Sequence, residues 1–89
     1  MVLGKVVGTV WATRKDEELV GMKFLIVRHL DVQHKLKETF VVAVDTVQAG
    51  VGDVVLVTSG SSARQTAVTK NKPVDAVIVA VVDKLDIQD

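Results

Sequence analysis

The chain has 89 residues, enough for one small domain and too few for a second core. Its 11 basic residues balance 11 acidic ones, which excludes the basic footprint of a protein held to nucleic acid by phosphate contacts and argues against electrostatic attachment to a membrane. Cysteine is absent, so disulfides, thiolate metal sites and thiol catalysis are excluded as well.

Hydrophobic residues make up 48% of the chain and charged residues 25%, the balance of a folded protein. Aromatics reach only 3% and valine dominates, and a stiff β-branched side chain favours the pleated surface of a strand. The first predicted strand covers residues 5–13, followed by a charged loop at 14–18, with Gly21 opening the way to a second strand at 24–30. Residues 31–39 are polar enough for a hairpin excursion, and a third strand runs over 40–47. Residues 48–52 form a turn in which Gly50 and Gly52 can take positive φ without a Cβ clash. A fourth strand occupies 53–58. Ser62 with Gln65 three residues later matches a capping box, so a short helix is expected there, stopped by the run ending at Pro73. A fifth strand fills 76–82, and residues 83–87 continue it or form a tail. Five short strands with a small helix between the fourth and fifth predict a mainly β, five-stranded OB-like barrel.

Several strands are apolar on both faces. In the fifth, Val77, Val79 and Val81 alternate with Ala76, Ile78 and Ala80; in the third, Val41 and Ala43 alternate with Phe40, Val42 and Val44. One face fills a barrel and the other needs cover, so an obligate oligomer is expected. Phe24 and Phe40 are expected in the core.

The chemical inventory is thin. His29 and His34, with Asp31 between them, match no zinc spacing, and neither a metal-ligand set nor a cofactor motif is evident. Ser59, Ser61 and Ser62 lie outside any G-x-S-x-G elbow, and capping is their economical role. Gly50-Val-Gly52 lacks the third glycine of a dinucleotide fingerprint and is followed by a strand. Arg64 is expected in the first turn of the short helix, against the dipole, which suggests a specific partner: Asp45, or a carboxylate or carbonyl on a neighbouring subunit.

The run from Val42 to Arg64, together with Gly8-Thr-Val-Trp-Ala-Thr-Arg-Lys15, Leu19-Val-Gly-Met-Lys-Phe-Leu-Ile-Val27 and the closing strand from Pro73 to Asp83, resembles the EutN/CcmL family of bacterial microcompartment vertex proteins. The resemblance covers nearly all of residues 1–89 as one vertex domain. It implies a homopentamer at the fivefold vertices of a polyhedral shell in the cytoplasm, with hexameric shell proteins as partners. It implies neither an enzyme nor a nucleic-acid or membrane binder. Gly50, Gly52, Gly60, Ser61, Ser62, Ala63 and Arg64 match the family signature and are expected at the subunit interface or the fivefold axis. The family usually has glycine where this chain has Gln48. Two other classes compete: a small single-stranded nucleic-acid or ligand-binding module, and an enzyme that joins His29 to Ser59 or Ser61.

Overall fold

Strands form where the valine-rich runs lie: β1 (Val2–Val10), β2 (Phe24–Leu30), β3 (Leu36–Asp45), β4 (Val54–Ser59) and β5 (Ala76–Val81). They close into a barrel in the order β1-β2-β3-β5-β4 in a computed structural model that describes residues 1–88. Short 3₁₀ turns at Glu17–Leu19 and Gly60–Arg64 complete the regular structure among the described residues. All strand pairs are antiparallel except β3 with β5, which meet in parallel over two register pairs, Val44 with Val77 and Asp45 with Ile78.

β1 begins and ends three residues earlier than the apolar pattern suggests. Val2 and Leu3 pair with Val57 and Leu56 of β4, so ladder bonding extends the strand towards its start in spite of Gly4. Gly4 is required there: a Cβ would stand 2.2 Å from Val27 Cγ1 and 2.9 Å from the Arg28 carbonyl oxygen. A register shift between Val6 and Gly8 then bends β1 around the barrel. β3 starts earlier than expected, at Leu36, because the excursion at 31–35 tightens into a hairpin turn. There Asp31 Oδ1 accepts the Gln33 and Lys35 amides at 2.8 and 3.0 Å, while His34 takes φ 62°.

The barrel interior holds Val6, Leu25, Val27, Ala43, Ala49, Val55, Val57, Ala76 and Ile78. The second apolar face of the strands is covered differently from the expectation. Val44 and Val77 are buried within the same subunit, under Ala63 and Val74 from the segment between β4 and β5, with Leu19, Met22, Phe24 and Val79 packed around them. Surface that remains for neighbours lies elsewhere. Phe40 and Val42 are 62% and 42% exposed on the outer face of β3, which corrects the expectation of a core Phe40. Phe40 pairs with Arg28, and Val42 with Ile26, at positions that alternate with the inward Val41 and Ala43.

Candidate subunit-interface elements

The signature residues fall into two separately built structures. The first is the turn between β3 and β4, which seals one end of the barrel. Asp45 ends β3, and its nearly buried carboxylate accepts the Val47 and Ala49 amides through Oδ1 at 3.0 and 3.2 Å. Its Oδ2 lies 3.8 Å from Lys23 Nζ, which donates in turn to the Ala49 carbonyl at 2.9 Å. This network drives Val47 and Ala49 down against the barrel interior. Gly50 then donates its amide to Asp53 Oδ2 at 2.8 Å. Gly52 and Asp53 stitch the turn to β1, the Gly52 amide donating to the Val6 carbonyl at 2.8 Å and the Asp53 carbonyl accepting from Val6 at 2.9 Å.

Of the two glycines expected to take positive φ, Gly52 does so, at 97°. The other left-handed residue of the turn is Gln48, at 60°, and not Gly50. Gln48, where the resemblance leads one to expect glycine, therefore falls where the backbone favours a residue without a Cβ.

The second structure is the excursion between β4 and β5. Gly60 turns the chain with φ 64° and donates its amide to the Asp75 carbonyl at 2.8 Å, which ties the two ends of the excursion together. The expected capping box is absent. Ser59 occupies the N-cap without a side-chain bond, and Ser62 lies inside the turn, its carbonyl accepting the Gln65 amide at 3.2 Å. Ser62 stands three residues past the N-cap and Gln65 is already the C-cap, so the pair cannot make the reciprocal N-cap to N3 bonds of a capping box. Arg64 consequently sits in the last turn and not the first, where a cation is compatible with the exposed carbonyls.

Arg64 does not reach Asp45. Its Nη1 donates to the Val74 carbonyl at 3.1 Å, so its partner is a carbonyl of its own subunit, while Asp45 is committed to the turn amides and Lys23. Ala63 is fully buried beneath the excursion, whereas Ser61 and Ser62 stand exposed. Sequence reasoning misses Thr69, yet it is the one fully buried polar residue among the described residues. Its hydroxyl donates to the Ala63 carbonyl, and the Thr66 hydroxyl lies 2.6 Å away. A Thr-x-x-Thr spacing in a loop is the only available hint.

The supposed catalytic partners stay apart in their bonding. His29 Nδ1 lies 2.8 Å from Thr39 Oγ1 across the β2–β3 hairpin, and neither Ser59 nor Ser61 forms a side-chain bond to it. Trp11 is 90% exposed at the mouth of a groove lined by Val10, Met22 and Phe24.

With this geometry in place, the likenesses become specific. A family profile described as "Ethanolamine utilisation protein EutN/carboxysome" matches residues 1–83. The microcompartment shell vertex protein GrpN of Rhodospirillum rubrum is 44% identical over 86 residues, which cover 97% of each chain. The carboxysome shell vertex protein CcmL of Synechococcus elongatus is 40% identical over 88 residues, covering 99% of this chain and 89% of that one. Among solved structures, the pentameric shell protein GrpN of Rhodospirillum rubrum superposes with a TM-score of 0.91 at 43% identity, covering 99% of this chain and all of the other. CcmL of Nostoc sp. PCC 7120 superposes at 0.95 with 39% identity, covering 99% of this chain and 93% of that one. The chain belongs to the EutN/CcmL family of microcompartment shell vertex proteins.

Proposed function

We infer that this chain is a structural subunit whose pentamers cap the fivefold vertices of a polyhedral bacterial microcompartment. The observation that carries the reading is the end-to-end match of its barrel with the pentameric shell protein GrpN, with little left over in either chain. Sheets of hexagonal tiles are flat, and a fivefold unit supplies the curvature that closes them. Hexameric shell proteins are therefore the partners at the rim of the pentamer, and the shell stands in the cytoplasm. The chain acts as one vertex domain and carries no catalysis of its own.

Two features support a role for the signature elements at the contacts between subunits. The turn at 48–52 and the excursion at 60–65 are held by internal hydrogen bonds, yet present Gln48, Val51, Ser61 and Ser62 outward. Val51 is 67% exposed, unusual for a valine at the centre of so well-tied a turn. Rigid, protruding and partly apolar elements suit a permanent interface, because little ordering entropy remains to be lost on association. Native mass spectrometry tests the reading: a species of five subunits is expected, and a monomer at micromolar concentration would overturn it.

A further inference from the structure

We propose that residues 83–88 of one subunit lie in the groove between Trp11 and Phe24 of the next subunit around the ring. The inference rests on the pentameric reading and adds to it a specific device for holding neighbours together.

The groove is lined by Val10, Trp11, Met22 and Phe24, with Lys15 and Lys23 among its polar residues, and has a volume of about 450 Å³. Its floor continues into the apolar cluster that includes Met22 and Phe24. Trp11 is the largest apolar side chain of the molecule, and at 90% exposure it has almost no cover of its own. An indole left in water at the lip of an apolar groove is a contact waiting for a partner, because burying such a ring removes a large apolar area from water.

The partner's chemistry is present in the same chain. After β5, Val82 donates its amide to the Val54 carbonyl at 2.7 Å, and the backbone then runs on without regular structure. Beyond that point Leu85 is half-buried and Ile87 is 56% exposed. Leu85 and Ile87 are two residues apart, so an extended backbone presents both on one side. Asp83 and Asp86 make the segment acidic against Lys84 alone. Lys15 provides the complementary charge at the groove, and Lys23, whose Nζ already lies 3.8 Å from the Asp45 carboxylate, offers donors more than free charge. Each donates one bond to a backbone carbonyl, Lys15 to Ala12 and Lys23 to Ala49, and an ammonium has three donors. Of the acidic groups nearby, Asp45 is paired with Lys23, Asp16 is occupied in capping the Glu18 amide, and Glu18 is paired with Lys72, which leaves Lys15 as the groove cation without a carboxylate partner among the described residues.

Topology places tail and groove correctly for a ring. Both lie at the barrel end sealed by the β3–β4 turn, since Lys23 donates to Ala49 in that turn and Val82 bonds beside it at Val54. They belong to different strands, however: the groove to the end of β1 and the start of β2, the tail to the end of β5, with β4 standing between β5 and β1. A cyclic assembly needs two such different, complementary patches on every subunit, repeated head to tail until the ring closes. No residue of the tail lines the groove within its own subunit.

The absence of native cysteine makes a direct test clean. The double variant carrying Ala12→Cys and Ile87→Cys is oxidised after native mass spectrometry has established the subunit number, then run on a denaturing gel without reductant. Covalent ladders rising to five subunits are expected. The pair Val32→Cys with Ile87→Cys, which moves the first thiol to the β2–β3 turn, is expected to give none. Trp11 emission supplies a second readout: blue-shifted and protected from acrylamide in the assembled wild type, red-shifted and quenched when Leu85 and Ile87 are both changed to Asp. If the Ala12→Cys/Ile87→Cys double variant assembles into pentamers yet stays monomeric on the gel, the tail docking is overturned and the pentameric reading is left intact. If Trp11 is protected in that case, the groove holds some other partner; if it is quenched freely, the groove is empty. A chain that forms no pentamer removes the reading and the docking together.

Discussion

Replacing Gln48 by glycine should stabilise the protein, and the size of the effect follows from the backbone. Gln48 is held at φ 60°, in the left-handed region, while its side chain is exposed and makes no hydrogen bond. For a residue with a Cβ that conformation costs roughly 1–2 kcal/mol relative to right-handed backbone. Glycine escapes the cost but has more freedom to lose on folding, an opposing effect of about 0.4–1 kcal/mol. At the midpoints the balance is a gain of about 0.8 kcal/mol, or roughly 3–6 °C in Tm for a domain of this size. Gln48→Ala serves as the control, because it removes the same side chain while keeping the Cβ, and it should leave Tm nearly unchanged. Calorimetry or circular dichroism at one fixed subunit concentration is the assay, since association raises apparent stability by mass action. If glycine and alanine shift Tm equally, or glycine lowers it, the left-handed geometry does not explain this position. The neighbouring contacts give the result further reach. Val47 and Ala49 on either side of Gln48 are packed against the barrel interior, so strain at 48 is transmitted to the seal of the barrel.

Gly4→Ala should be the opposite case, destabilising by about 1–3 kcal/mol and near the upper end, because one of the atoms that its Cβ would strike is the Arg28 backbone oxygen and cannot turn aside; urea titration reads the loss. Thr69→Val should cost about 1–3 kcal/mol by leaving the buried Ala63 carbonyl without its hydroxyl donor, and Thr69→Ser should recover much of it in the same titration. Arg64→Ala should weaken the ring on dilution, as measured by size-exclusion chromatography, while hydrogen exchange of the β1–β2 core amides changes little, because the lost bond to Val74 loosens only the excursion. Acid should loosen the β2–β3 turn. The Lys35 amide bond is the main cause holding the Asp31 carboxyl below its ordinary range; desolvation, next in size, opposes it, and the Gln33 amide and the charges of Lys35 and Lys37 add to the lowering. A lowered folded pKa contributes stability that is full above the unfolded value and disappears as pH falls through the folded one. Faster exchange of the Gln33 and Lys35 amides should therefore appear only below the ordinary aspartate range, and Asp31→Ala should show it at every pH.

The barrel is legible in the sequence because its causes are local and repeated. Valine runs separated by glycine-containing turns specify five strands, and the bounds of β2 follow from its apolar run alone. The ends of β1 and β3 are hidden because ladder bonding from a partner strand decides them: Val2 and Leu3 are held by β4, and Leu36 pairs with Leu30. The two-faced strands do need cover, but the cover at Val44 and Val77 comes from Ala63 and Val74 of the same chain. Nothing in a periodic pattern distinguishes a neighbour's side chain from one that returns some twenty residues later. Arg64 stands out in the sequence for a wrong local reason. The helix that would have opposed it is a 3₁₀ turn, and the residue ends that turn. The signature residues are recognisable as a string, while their division between a barrel seal and a surface excursion depends on hydrogen bonds that only the folded chain forms.

The closure of the barrel also limits how subunits can join. A closed sheet offers few free edges, and edge-to-edge pairing is the cheapest route to uncontrolled polymers. Here β5 meets β3 only at Val44 and Asp45, so residues 36–43 of β3 run without a strand on that side among the described residues. Lys37 and Glu38 stand on that stretch, and charges on an exposed edge discourage another chain from adding to it. Among the apolar side-chain surfaces this leaves open to neighbours are the outer surface of β3, where Phe40 and Val42 are exposed, the groove under Trp11, and Val51 on the β3–β4 turn. Contacts between such faces are specific to shape and can stop at a fixed number of copies, whereas strand addition has no built-in end. A vertex needs that property, since a sixth subunit would flatten the corner that it is meant to turn.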